Sequence, residues 1–321
     1  MNAQSGIYSS KGLSTDLICI GETLIDFIGT QIEAPISETK DYHRYLGGSP
    51  TNVAMNMARL GMNVAMISSV GDDGFGDYML SRFEEAGIDT QYISRTPQTP
   101  STVIFINNTV GTPEFIAYRG ADKEIYPNQI PEALLNSSKI YHTTCFALSL
   151  DPARETILSA AERAAQQGVQ LSIDVNYSEK IWPNRDQAIE ALSRYCKWGP
   201  LVKISQDDVD RLLGPGLSHQ EVFEYLHGLG AQTICFTLGK DGAKLSVVGH
   251  EVIQLSALKV EKIMDATGAG DAFWSGFLYG HIKGQKPEKC LSTALKMAAI
   301  KLQNVGRIPD YADVISDILN D

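Results

Sequence analysis

Short apolar runs rich in β-branched residues recur along this chain and alternate with longer stretches in which apolar positions return every three or four residues. The short runs predict strands at residues 17–20, 64–68, 139–142, 170–174, 201–204, 233–237 and 243–247. The longer stretches predict helices at 50–60, 76–86, 152–167, 186–195, 219–229, 271–283 and 287–303. Strands that alternate with helices in this way form a mostly parallel central sheet flanked by helices, an α/β architecture. Two segments break the alternation, at about 25–46 and 101–119. In the second, residues 102–107 and 114–119 flank a loop with Gly111 and Pro113 and read as a β-hairpin.

Composition narrows the class. The chain has 321 residues, of which 43% are apolar and 20% charged, ordinary values for a globular protein. A net charge of −11 argues against a general nucleic-acid binder, although a local site can still hold an anion. The five cysteines form no C-x-x-C pair and sit mostly in apolar runs, so they read as reduced core residues of a cytoplasmic protein. No apolar run approaches the roughly 18 residues of a membrane span. Residues 1–15 lack the apolar core of a signal peptide and are expected to be a loose tail ahead of a domain at 16–321. The six histidines have no metal-ligand spacing, and no structural metal is expected.

The chemistry concentrates in Asp265-Ala266-Thr267-Gly268-Ala269-Gly270-Asp271, a glycine turn that runs into a helix. Exposed N–H groups and the positive end of a helix dipole make such a turn an anion site. A phosphate held there would be repelled by Asp271. The conflict is resolved if Asp271 is a base that takes a proton from a hydroxyl. The N–H groups of Gly268, Ala269 and Gly270 would then hold the phosphoryl group that the hydroxyl attacks. That layout suits a kinase for a small alcohol. The P-loop signature occurs nowhere in the chain, and a dinucleotide fingerprint would need glycine where Phe273 stands, which argues against a dehydrogenase.

A second block, Gly47-Gly48-Ser49-Pro50-Thr51-Asn52, leads into the helix at 50–60. Ser49 fits the helix N-cap and Pro50 the first helical position. Ala54, Met57, Ala58 and Gly61 would then share a packed face. The diglycine lets a ligand approach the backbone, and the Asn52 amide can both donate to and accept from hydroxyl groups.

These two blocks, together with Gly21-Glu22-Thr23-Leu24-Ile25-Asp26 and Thr237-Leu238-Gly239-Lys240-Asp241-Gly242, stand in the order and spacing of one family. The chain resembles the ribokinase-like, PfkB-type carbohydrate kinases over nearly its whole length. The resemblance implies a Rossmann-like core, a small β-sheet lid built from the two irregular segments, and transfer of the ATP γ-phosphate to a sugar hydroxyl with Mg2+. It also implies a homodimer formed through the lid, while the charge and the absence of a long apolar run lead to the expectation of no nucleic-acid or membrane partner.

Residue by residue, Asp271 matches the catalytic base. Asp26, Gly48, Ser49 and Asn52 match sugar-contacting positions, and the lid residue Arg119 would reach sugar oxygens or a phosphate. Thr237, Gly239 and Gly242 match the nucleotide loop. Ser205 and Asp208 stand where the family carries N-x-x-E, which implies nucleotide contact at Ser205 and Mg2+ held through water at Asp208. Asp174-Val175-Asn176 resembles a D-x-N segment, with Ser178 where arginine is common. Asp265 and Thr267 correspond to positions that hold a monovalent cation such as K+, with Ala266 in place of the usual threonine between them. The Gly-Gly-Ser-Pro form and the Ala-Tyr-Arg-Gly-Ala-Asp run around Arg119 resemble fructokinase-like members, so fructose is the expected acceptor. Alternative acceptors are 2-keto-3-deoxygluconate and ribose. The departures at Ser205, Asp208 and Ser178 leave open a reading of a different class, a non-catalytic sugar or nucleotide sensor.

Overall fold

A strand buried on both faces is apolar at nearly every position, and the runs described above have that character. The computed structural model describes residues 15–109 and 114–304. Its elements begin with β1 (Thr15–Ile20), β2 (Leu24–Ile32), β3 (Tyr42–Gly47), α1 (Ser49–Arg59), β4 (Val64–Gly71), α2 (Gly74–Glu85) and β5 (Ile93–Thr96). Next come β6 (Val103–Asn108), β7 (Phe115–Tyr118), α3 (Glu132–Asn136), β8 (Ser138–Thr144), α4 (Ala153–Gln166), β9 (Gln170–Asp174) and α5 (Arg185–Cys196). The chain continues through β10 (Leu201–Ser205), α6 (Gln206–Leu212), α7 (His219–Leu229), β11 (Thr233–Thr237), β12 (Ala243–Val247), β13 (Ile253–Leu255), α8 (Ala269–Ile282) and α9 (Pro287–Leu302).

Among the described residues, one sheet has nine strands in the order β13-β12-β11-β10-β9-β8-β1-β4-β5. Pairing is parallel from β11 through β5, and β12 alone is reversed, pairing antiparallel with both β11 and β13. Alternate residues of β1 feed two apolar layers. Ile18 and Ile20 pack with Ile157, Leu192 and Leu226 of α4, α5 and α7. Leu17 and Cys19 pack with Val53, Phe83, Trp274 and Leu291 of α1, α2, α8 and α9. All five cysteines are buried and unpaired.

The two irregular segments form a second sheet, ordered β3-β2-β6-β7. The expected hairpin is the antiparallel pair β6–β7, and β2 runs parallel to β6. Its tip, with Gly111 and Pro113, lies outside the described residues. So does the expected tail, apart from Thr15, which opens β1.

All seven expected strands and seven expected helices are present, with ends shifted by at most three residues. Four further elements, β5, β13, α3 and α6, were not legible. The edge strands β5 and β13 are short and partly polar, as edges tend to be, and only their pairing with β4 and β12 makes them strands. Helix α6 starts from a capping box in which Ser205 and Asp208 bond each other reciprocally. Two local expectations are corrected. The N-cap of α1 is Gly48 rather than Ser49, because the Ser49 hydroxyl is turned away from the helix to bond elsewhere. Gly61 is also exposed at the helix exit rather than packed with Ala54 and Met57.

Candidate active site

Helix α8 begins at Ala269 from Gly268, whose φ of 76° is the left-handed conformation that a glycine adopts without strain. No side chain caps this end. The Ala269 N–H closes a turn on the Ala266 carbonyl (3.1 Å). The N–H groups of Gly268 and Gly270 have no acceptor among the described residues. The anion-holding donors expected at 268–270 are thus reduced by one, since Ala269 is engaged.

Asp271 stands in the first turn, half-buried, where α1 and α8 meet. The Ser49 hydroxyl donates to its Oδ1 (2.6 Å) and the Asn52 amide to its Oδ2 (2.8 Å). Both donors come from the first turn of α1, which Gly48 places. Its φ is 102°, and a Cβ there would strike the Glu22 carbonyl. Burial pushes the Asp271 carboxyl above its ordinary value, against the opposing pull of Ser49, Asn52, Lys203 and Lys301. A carboxylate raised toward neutrality yet still oriented by two donors is well suited to accept a proton.

Asp26 lies on β2, its carboxylate against the Gly47 backbone. It has no hydrogen-bond partner among the described residues. Burial and the nearby Asp271 charge raise it to about 7. Glu22, 1% exposed, holds the start of α1 from within the fold. It accepts from the Ser49 N–H (3.1 Å) and the Thr144 hydroxyl (2.9 Å), and burial raises it to about 8. At neutral pH it is therefore largely a neutral carboxyl group.

Arg119 follows β7, and its charge is tied down there. Its guanidinium pairs with buried Asp122 (2.6 Å), donates to the Ser149 hydroxyl oxygen (2.9 Å), and lies 4.2 Å over the Phe146 ring. Asp122 also accepts from the Thr102 hydroxyl.

On the other side, neighbouring strand ends bring Ser205 and Thr237 into register at the carboxyl edge of the sheet, where α/β proteins bind ligands. Gly239 and Gly242 bound the turn that leads from β11 into β12. Asp208 is buried, with Oδ2 accepting from the Ser205 N–H and hydroxyl (2.9 and 2.6 Å) and Oδ1 from the Tyr177 N–H (2.8 Å). Its first tie is therefore to the protein: Oδ2 is filled by two donors, and only Oδ1 retains a lone pair for a metal-bound water.

Two buried lysines that sequence reasoning passed over flank the glycine turn. Lys203 on β10 is bidentate to Asp174 (2.9 and 2.7 Å), and its Nζ would lie 3.2 Å from a Cβ on Gly270. Burial works against its charge, but Asp174 and Asp208 outweigh that and hold it above the ordinary lysine value. Lys301 on α9 would bring its Cε within 3.7 Å of a Cβ on Gly268 and donates to Asp265 Oδ2 (2.9 Å). Asp265 Oδ1 accepts from the Thr267 N–H (2.9 Å). A lysine inside the apolar run Leu201-Val202-Lys203-Ile204 was a readable signal, because lysine is seldom buried unless paired. Lys301 carried no such signal, since a lysine in the last turn of a helix is ordinary.

An α/β fold that gathers a held carboxylate, a glycine turn and flanking ammonium groups at its carboxyl edge defines a phosphoryl-transfer class of site. The chain belongs to the pfkB family of carbohydrate kinases, whose sequence model matches residues 14–313. It is 34% identical over 299 residues to an ATP-dependent 6-phosphofructokinase of Thermoanaerobacterium thermosaccharolyticum, covering 93% of this chain and 91% of that one. It is 30% identical over 276 residues to a 5-dehydro-2-deoxygluconokinase of Clostridium perfringens, covering 84% and 81%. Among solved structures, the Halothermothrix orenii fructokinase superposes with a TM-score of 0.77 at 33% identity, covering 88% of this chain and 98% of its own.

Proposed function

We propose that this kinase transfers the γ-phosphoryl group of ATP to a hydroxyl of a neutral ketose, with fructose as the acceptor and fructose 6-phosphate as the product. The observation that carries the choice is the charge of the acceptor side. Asp26 and Asp271 bring two carboxylates there, while the one arginine expected to meet an acceptor, Arg119, is neutralised by Asp122. A phosphorylated or carboxylate-bearing acceptor would set like charges together in a half-buried site, whereas polyol hydroxyls can donate to both carboxylates.

In this reading Asp26 and Asn52 orient the sugar. Asp271 takes the proton of the attacking hydroxyl as that oxygen bonds to the γ-phosphorus, and ADP leaves. The Gly268 and Gly270 N–H groups and the Lys203 ammonium stabilise charge on the moving phosphoryl group. Thr237, Gly239, Gly242 and Ser205 receive the nucleotide, whose magnesium meets Asp208 through water. The small sheet serves as a lid that keeps water from the phosphoryl group. Its outer face, with Ile116 and Tyr118, is the contact between two copies.

Coupled ADP release with fructose, fructose 6-phosphate, 5-dehydro-2-deoxygluconate, 2-keto-3-deoxygluconate and ribose tests the reading. We expect kcat/KM for fructose to exceed the others by about 10-fold or more. Asp271→Asn should lower kcat by roughly 10²–10⁴. A charged acceptor in first place would sink the choice of a neutral sugar but leave the kinase class standing.

A further inference from the structure

The family resemblance predicts a monovalent cation at Asp265 and Thr267, yet the arrangement there is not that of an open metal site. Both carboxylate oxygens of Asp265 are engaged, Oδ1 by the Thr267 N–H (2.9 Å) and Oδ2 by the Lys301 ammonium (2.9 Å). The same ammonium donates to the Asn304 carbonyl (3.2 Å). A carboxylate and a backbone carbonyl are the hard oxygen donors that an alkali cation would take, and here a lysine takes them.

Lys301 is only 4% exposed, so its charge is not screened by water as a surface lysine's would be. It projects from the last turn of α9, where the helix dipole favours a cation. The same helix end grips the loop directly, since the Leu302 carbonyl accepts from the Met264 N–H (2.7 Å). The lysine stem passes against Gly268, so the fixed charge stands at the base of the glycine turn.

We propose that the Lys301 ammonium supplies, from within the chain, the positive charge that a monovalent metal ion would provide at Asp265, and that this protein works without potassium. Lys301 is thus a positioning residue. It neutralises Asp265, braces the turn from Thr267 to Gly270, and adds its field to the anion-holding N–H groups. An ammonium is a compact point charge, close enough to a potassium ion in size and donor preference to stand in for it.

The inference rests on the kinase reading only where turnover is measured, so it is tested by two readouts. Turnover and thermal unfolding of the wild type, Lys301→Ala and Lys301→Met are compared in K+, NH4+, Na+ and tetramethylammonium at constant ionic strength. The wild type should give the same rate in all four, within about twofold, with no change in melting temperature. Lys301→Ala should lose roughly 10–100-fold in kcat in tetramethylammonium, the usual scale for removing a support of a charged site. Potassium or ammonium should restore most of that loss with a saturable dependence. The same ions should raise the variant's melting temperature by roughly 1–2 °C, the shift of about 1 kcal/mol in a chain of this size.

Lys301→Met keeps most of the side-chain volume while lacking the charge, so its rate should fall as for alanine but show weaker rescue. Activation of the wild type by potassium of several-fold or more would overturn the proposal. So would variants that melt cooperatively yet respond to no cation in rate or melting temperature. If neither variant folds, the wild-type comparison decides alone. If no acceptor is turned over, the kinase reading fails while the melting arm still gives its answer on Lys301.

Discussion

Asp271, Asp26 and Glu22 crowd one side of the site, and their surroundings sort them into different protonation states. Glu22, enclosed and raised to about 8, keeps its proton at neutral pH and serves as a neutral prop for Ser49 and Thr144. Asp26, raised to about 7 by burial and by the Asp271 charge, stands at the changeover. An acceptor hydroxyl is bound best by the ionised form, so kcat/KM for the sugar should rise with pH through about 7 and level off above it. Asp26→Asn should lower kcat/KM by roughly 10–100-fold, the cost of one substrate contact. It should also move the remaining limb to lower pH, because Asp271 then loses a like-charged neighbour and ionises more readily. A pH–rate profile of both proteins checks this, and an unmoved limb would show that the two carboxylates do not sense each other.

Helix α8 carries Asp271 at one end and packs along its length on α9, and that contact depends on a small residue. A Cβ on Gly276 would stand 2.8 Å from the Thr293 carbonyl and from Met297 Cγ, and 2.9 Å from the Ala294 Cα. Backbone atoms cannot yield as a flexible side chain would, so Gly276→Ala must push the helices apart. Overpacking of this kind costs roughly 1–3 kcal/mol. The melting temperature should fall by several degrees in a thermal scan. kcat should fall as well, because separating α8 from α9 displaces Asp265 relative to Lys301 and Asp271 relative to α1. A variant as stable and active as wild type would mean that the two helices adjust without disturbing the site.

At the scale of the whole molecule, the small sheet has two unlike faces. One packs Ile104 toward the central core, and Asp26 lies on that side. The other lines up Phe27, Phe105 and Ile116 in register, with Ile116 41% and Tyr118 60% exposed. Apolar side chains left uncovered on a four-stranded sheet favour self-association. Sedimentation should give twice the monomer mass. The double substitution Ile116→Asp with Tyr118→Asp should give the monomer, because pairing would then bury unpaired charges. A wild-type monomer would leave that face without the role assigned to it.

Much of this protein is determined locally and can be read from the chain. Periodicity set the order of strands and helices, because a strand or helix declares itself by which of its own positions are apolar. The glycine turn and its Asp271 were legible for the same reason, since turn, helix start and carboxylate lie within a few residues of one another. The partners of that carboxylate were decided only by the tertiary structure. Ser49 and Asn52 reach Asp271 across 222 and 219 residues of chain, and a good local N-cap was turned into a distant donor. Likewise Arg119 looked like a free cation until Asp122 closed on it, and Lys301 looked like an ordinary helix-end lysine until α9 carried it to Asp265. Charge pairing depends on which elements pack together, and packing is a property of the assembled sheet and helices that no local pattern contains.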